Sequence, residues 1–288
     1  MLLKAPRQWI ASPLAYNMLL ALLNENVPSV DKYQDLIKKM QRKQGYLSMN
    51  KLFLSSERVG ETKDLQYLMQ TLSHIEMEET NFSKSLNSFE LWVRKFGYKG
   101  PGLEIPSSSE YVLANAFFFR RAWLKSDSAG ASMKIFNSFN YTSDVTYDAR
   151  ILELPLCSKF KLVLLIPCER DRLDALFSRL NNEGLAAAIS SLHPIFTVNS
   201  KMVAPNIDFA STIQIKNNLN NLESGSVLQS ATICVNEEGT VARVVTYLIS
   251  VKAELSNLEY KFESFATPFH FALVSNDTPF VTGQFYRE

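Results

Sequence analysis

The sequence has little of what metal or cofactor chemistry requires. Its three histidines, His74, His193 and His270, lie far apart and match no ligand spacing. It has 10 glycines, none of them in a GxGxxG, GxxxxGK or GxSxG pattern, so phosphate-cradling loops are scarce and no nucleophile elbow is present. No catalytic residue, metal ligand or cofactor site is assigned, and the chain is expected not to be an enzyme. Its three cysteines, Cys157, Cys168 and Cys234, form no CxxC pair. An odd count leaves at least one thiol free, which argues against a disulfide framework and favours a reducing compartment. Neither sign of charge dominates: 30 Lys and Arg stand against 29 Asp and Glu, for a net charge of +1. The basic excess that nucleic acid or an anionic membrane would demand is therefore absent. No apolar run reaches membrane-span length, since the best stretch, residues 14–23, is short and interrupted by Asn17. The opening residues, Met-Leu-Leu-Lys-Ala-Pro-Arg, put charge and proline where a signal peptide needs its apolar run. The expected compartment is the cytoplasm, or the outside of the cell by leaderless export.

What remains is a core. Hydrophobic residues make up 46% of the 288 positions and include 19 Phe, enough for a large sheet-containing interior. No repeat and no Gly/Ser/Pro-rich linker divides the chain, so residues 1–288 read as one domain. Ser12 and Pro13 suit the cap and first turn of a helix, and Leu14, Met18, Ala21 and Leu22 give it an apolar stripe. Further helices are expected over 31–41, 62–72, 85–96 and within 172–192. Strands are expected over 47–55, 74–82, 151–155, 161–167, 196–207 and 226–235. Residues 110–123 are almost continuously apolar until Arg120, as in a central strand buried on both faces. Residues 269–275 and 280–287 read as a hairpin around Asn276-Asp277. Helices cluster early and strands late, which is an α+β order.

The informative stretch begins at Asn236-Glu237-Glu238-Gly239-Thr240. From Thr240, one face of an extended chain carries Thr240, Ala242, Val244 and Thr246, all small or apolar and uncharged. The other carries Val241, Arg243, Val245 and Tyr247, a face expected to tolerate solvent. A polar, glycine-poor tract continues to Ser264. A segment of this pattern can remain a long surface loop or join a sheet as a strand, and Gly239 is a plausible hinge between the two.

The Glu237-Glu238-Gly239-Thr240 hinge resembles the reactive-loop hinge of the serpins, and other stretches match that family in the right order. Ser12-Pro13 resembles the start of helix B. Met49-Asn50-Lys51-Leu52-Phe53 resembles the strand that usually reads Asn-x-Leu/Val-Phe. Residues 115–123, Asn-Ala-Phe-Phe-Phe-Arg-Arg-Ala-Trp, look like the family's Asn-Ala-hydrophobic-Tyr/Phe-Phe-Lys-Gly-x-Trp strand. Leu152-Glu153-Leu154-Pro155, Leu165-Ile166-Pro167, Ala204-Pro205, Thr267-Pro268-Phe269 and Phe280-Val281-Thr282-Gly283 resemble later signatures.

The resemblance implies an α+β serpin fold: a large mixed central sheet with smaller sheets, about six to eight helices and an exposed reactive loop, here 237–264. It implies a suicide substrate. A serine or cysteine protease cuts the loop and forms an acyl-enzyme, and the cut loop inserts as a new strand that drags the protease away before hydrolysis completes. Glu237, Glu238, Gly239, Thr240, Ala242, Val244 and Thr246 become the inserting hinge, and Ser12, Asn115, Trp123 and Gln229 the region where the sheet opens. Counting from the hinge glycine puts the cut at Ala253-Glu254; counting back from Pro268 puts it near Asn257. The candidates are Lys252, Ala253, Glu254 and Leu255, which would suit trypsin-, elastase- or chymotrypsin-like pockets. A monomer whose one macromolecular partner is the protease is expected.

The sequence departs from the family in ways that matter. On the resemblance, most of helix A is expected to be absent, helix D to have no room between Met40 and Leu47, and the connections after Trp123 and Leu222 to be short. Poxvirus serpins are trimmed similarly, so the resemblance extends to a viral protein working in a host cell. Arg243, Val244 and Val245 replace the usual small residues, Gln229 stands where many members have histidine, and Asn206 stands where many have lysine. These differences keep a second expectation open, a non-inhibitory binding or regulatory protein on the same fold.

Overall fold

Ser12 and Pro13 begin the first helix as their chemistry dictates: the Ala15 amide donates to Ser12 Oγ at 3.0 Å, and proline takes the first helical position, where no amide is needed. This computed structural model describes residues 2–4, 8–23, 30–42, 45–57, 63–84, 87–100, 103, 105–124, 139–195, 206–215, 225–250 and 268–286. The strands are β1 (Leu2–Lys4), β2 (Trp9–Ala11), β3 (Tyr46–Ser55), β4 (Met77–Thr80), β5 (Tyr111–Ala122), β6 (Phe139–Asp144) and β7 (Ala149–Leu156) in the first half. They continue with β8 (Phe160–Pro167), β9 (His193–Ile195), β10 (Ile207–Ile215), β11 (Ser226–Asn236), β12 (Gly239–Ile249), β13 (Phe269–Ser275) and β14 (Thr278–Phe285). The helices are α1 (Pro13–Leu22), α2 (Val30–Gln41), α3 (Lys63–Thr71), α4 (Ser88–Lys95), α5 (Leu173–Glu183) and α6 (Leu185–Ser190).

The strands form two seven-stranded sheets. The first runs β1-β10-β11-β12-β5-β3-β4 and the second β2-β14-β13-β8-β7-β6-β9. Every described pairing is antiparallel except β3 with β4. The upper back of the first sheet packs on the second through a phenylalanine cluster in which Phe119, Phe160 and Phe280 meet edge to face at 5.1 to 5.8 Å. Helix α1 fills the space behind the middle of the first sheet with Leu14, Ala15 and Met18. Helix α4 crosses its front, burying Phe89, Trp92 and Val93 against Val245, Tyr247 and Ile249. Helices α5 and α6 cover the outer face of the second sheet.

Element boundaries follow local chemistry. The helix expected over 85–96 starts at Ser88, because Asn87 Oδ1 accepts from the Glu90 amide at 3.0 Å and sets the cap there. The strand expected over 74–82 shrinks to Met77–Thr80, its one described neighbour being β3. Strand β5 is buried on both faces until Phe118, as its apolar run predicts, and Asn276 and Asp277 both take positive φ in the last hairpin. Of the strand expected over 196–207, only Asn206 and Ile207 are described residues, and Ile207 opens β10. Cys157, Cys168 and Cys234 are all free thiols.

Candidate functional site

The hinge stretch is not an exposed loop over its first eleven residues. Gly239–Ile249 forms β12, hydrogen-bonded along its length to β11 on one side and to β5 on the other. This corrects the expected exposed reactive loop for the half that is described. The physical reason is the alternation itself: Thr240, Ala242, Val244 and Thr246 are fully buried against the back of the sheet, where no charge has to be accommodated. The opposite face is corrected as well. Val241 and Arg243 are half-buried, but Val245 and Tyr247 are buried, because α4 lies over them and the Tyr247 ring packs 5.7 Å from that of Phe89.

A two-residue turn feeds β12 from β11. Asn236 Oδ1 accepts from the amides of Glu238 at 2.9 Å and Gly239 at 3.3 Å, which fixes the reversal. Gly239 has φ of +147°, and a Cβ there would lie 2.0 Å from the Arg121 carbonyl oxygen, so the position admits no side chain. Trp123 ties the same corner to the end of β5 by donating its indole N–H to the Asn236 carbonyl at 2.8 Å. Glu237 and Glu238 are exposed on the turn, and it is Glu238 that reaches a cation, Arg120, at 3.4 Å in solvent. Such a pair contributes little.

Of the residues expected where the sheet opens, Gln229 and Asn115 fall into one row and Ser12 bonds to it, while Trp123 lies apart at the Asn236 corner. The strand register puts Gln229, Thr246, Asn115 and Asn50 side by side across β11, β12, β5 and β3. Gln229 Oε1 accepts from the Ser12 amide at 2.9 Å, and its Nε2 donates to the Ser12 carbonyl at 2.8 Å and to Thr246 Oγ1 at 3.0 Å. Ser12 Oγ donates to the Phe280 carbonyl at 2.7 Å, which carries the connection into the second sheet. Asn115 Nδ2 donates to Asn50 Oδ1 at 2.7 Å and to Ser48 Oγ at 3.1 Å, while its Oδ1 is buried without a hydrogen bond. Thr240 Oγ1 is likewise buried and unbonded. The row is thus a polar seam in an apolar interior, bonded to α1 at one end and to β3 at the other, with the β12 threonine as its middle member.

Arg243 lies on the front of β12 over the Phe118 ring at 5.3 Å and beside Gly97, just past the end of α4. Burial pushes the Cys234 thiol up from its ordinary range, with the nearby Arg243 charge acting in the opposite direction. Lys252, Ala253, Glu254 and Leu255 lie outside the described residues. Sequence reasoning missed Asn50 and Ser48 as partners of Asn115, and Leu248 and Ile249 as the continuation of the strand. A signal for the first pair exists: Ser48 and Asn50 share a face of β3 whose other members, Tyr46, Leu52 and Leu54, are apolar or aromatic. Among the described residues no group of three or more His, Cys, Asp or Glu is placed to hold a metal ion.

No protein-family model matches the sequence, and no curated protein matches it. Solved structures do resemble the fold. The cleaved form of a protein named Serpin 42Da superposes with a TM-score of 0.70 at 18% identity, covering 99% of this chain and 93% of that one. A loop-inserted, cleaved ovalbumin mutant gives 0.70 at 17% identity over 96% and 92%. A thermophilic serpin, tengpin, in its latent state gives 0.68 at 15% identity over 96% and 91%. The chain has the serpin fold.

Proposed function

We propose that the chain is a protease inhibitor that acts as a suicide substrate, with Gly239–Ile249 the segment that enters the sheet and residues 252–255 the bait. One observation carries the reading: the strand at the centre of the first sheet is joined to its neighbour by a two-residue turn and is paired on both edges. Such a strand can be withdrawn without breaking any other connection of the sheet. With it out, β11 and β5 would close on each other, and Gln229 would face Asn115, whose buried Oδ1 has no bond in the inserted form. The protease supplies the nucleophile and the acyl-enzyme bond; this chain supplies the energy of two new rows of strand pairing and of side-chain burial. Speed decides the outcome, since insertion has to outrun deacylation. The expected target is a serine or cysteine protease.

A second reading has its own support. β12 is in the sheet of a chain that is covalently continuous, and its far half, Val245, Tyr247, Leu248 and Ile249, is filled with large buried side chains. A protein built to keep this strand in place would bind or regulate without trapping a protease. Two measurements separate the readings. Freshly folded protein is nicked between residues 250 and 258 and melted. A large gain in melting temperature on nicking supports an expelled, insertable strand; no gain supports the permanent one. Incubation with trypsin-, elastase-, chymotrypsin- and caspase-type proteases, scored for SDS-resistant adducts, tests inhibition directly. Cleavage with no adduct in every class would rule the inhibitor reading out.

A further inference from the structure

The first sheet ends differently on the side away from β10. Strand β4 covers only the last four residues of β3, pairing Leu52 with Met77 through Ser55 with Thr80. The first half of β3 has β5 on one side and, among the described residues, no strand on the other. The direction of its backbone follows from two bonds. The Leu52 amide donates outward, to the Glu76 carbonyl, and the Gly45 carbonyl accepts inward, from Arg120. Backbone groups alternate along a strand, so Tyr46, Ser48 and Asn50 turn their N–H and C=O groups outward. Natural edges are blunted by charge, proline or a bulge. Here Gly45 through Asn50 carry no charge, and Leu47 and Met49 lie on the same face 48% and 41% exposed.

We propose that this open edge pairs with the same edge of a second copy of the chain, in an antiparallel two-fold arrangement centred on Ser48. The register is self-complementary. Ser48 opposite Ser48 and Tyr46 opposite Asn50 place every outward N–H and C=O in a hydrogen-bonded pair. Leu47 then stands opposite Met49 of the other copy, twice, so the four exposed apolar side chains cover one another. Both ends of the open edge also coincide. Gly45, where the φ of +76° turns the chain away, meets Lys51, the last position before β4 takes over. Lys51 is held by Glu76 and Glu78 of its own chain and brings no unpaired charge to the seam. The product is one continuous sheet running through both molecules. Strands this short bury less than the ~800 Å² per partner of a standard interface, so the dimer forms reversibly. The proposal uses neither β12 nor the bait segment, and it stands or falls apart from the inhibitor reading.

Sedimentation velocity over a concentration series tests it. The parent is expected to pass from monomer to dimer as concentration rises. A Leu47→Lys, Met49→Lys double variant, altered only at exposed positions, is expected to stay monomeric with an unchanged circular dichroism spectrum and melting temperature. Cysteine pairs read the register. Positions 47 and 49 form a non-hydrogen-bonded pair with Cα atoms about 4.5 Å apart, within disulfide reach. Mixed Leu47→Cys and Met49→Cys chains should cross-link under mild oxidation, while either alone should cross-link no more than the parent with its native thiols. A parent that is monomeric at every concentration overturns the proposal. So does a double variant that dimerises as the parent does, or a single-cysteine chain that cross-links to itself.

Discussion

The two sheets of this molecule are built on different principles. At the middle of the second, β8 and β13 face each other with Leu162, Val163, Leu164, Leu165, Phe271, Ala272, Leu273 and Val274, all buried and all apolar. At the middle of the first runs a seam of amide and hydroxyl side chains, Gln229, Thr246, Asn115 and Asn50. Close apolar packing leaves few voids and transmits strain, so it tolerates little rearrangement. A buried polar seam is held by specific partners, and any member left without one is costly. The second sheet is held by apolar packing at its middle, while the first carries buried polar side chains there, one of whose acceptors, Asn115 Oδ1, has no bond.

That contrast can be attacked from both sides. The largest effect is expected from Thr246→Arg, which places a charge without a partner in the fully buried centre of the seam. Its cost to the inserted form is about 5 kcal/mol. The expelled form escapes most of it, so nicked protein should lose its melting advantage while the uncut protein, if expelled, keeps its own. Phe271→Ala in the second sheet should cost about 4 kcal/mol. Its ring is packed so closely against Gly283 that a Cβ there would lie 2.3 Å away. This loss should be the same before and after nicking; a difference between the two would show that the second sheet also changes.

A smaller effect comes from pH. His270 is buried in the second sheet beside Trp9 and Phe177, and burial pushes its pKa down to about 4. An unfolded histidine titrates near 6.5. Below that value the unfolded chain takes up a proton that the folded chain refuses, so stability is full above about pH 6.5 and falls as pH drops toward 4, by up to about 3 kcal/mol. Denaturant melts across this window should show the slope, and His270→Leu should flatten it. The smallest effect is expected from Thr240→Val. The Thr240 hydroxyl is buried and unbonded, so its replacement by a methyl of the same shape should change stability by less than about 0.5 kcal/mol or raise it. A larger loss would mean that this hydroxyl has a partner in the expelled form.

Much of the scaffold is legible in the sequence, because single-state elements leave single-valued patterns. The run 111–119 cannot be anything but a strand buried on both sides, and Ser12-Pro13 has few uses other than starting a helix. The α+β class and the serpin fold emerge from such elements in order. What is less legible is the stretch whose pattern fits two homes. The alternation of Thr240, Ala242, Val244 and Thr246 is compatible with a loop outside the sheet and with a strand inside it, and only contacts at long range distinguish them. Val245 and Tyr247 read as solvent-tolerant because the helix that covers them, α4, comes from a segment about 150 residues earlier. The seam is half visible: Gln229, Ser12 and Asn115 stand out by resemblance, whereas Ser48 and Asn50 require the register of β3 against β5 to become their neighbours.

The tight corner at Glu237-Glu238 makes any movement of β12 directional. Under the proposed insertion, the strand, joined to β11 at one end, enters the sheet from Gly239 onward, like a zip closed from its fixed stop, and each residue seated advances the chain behind it by one increment. At roughly 3.3 Å per residue, seating the eleven residues of β12 carries whatever is attached downstream about 35 Å along the molecule. The corner thus converts a count of paired residues into a distance travelled, which a pair of fluorophores, one at the corner and one beyond Ile249, would read as a ruler.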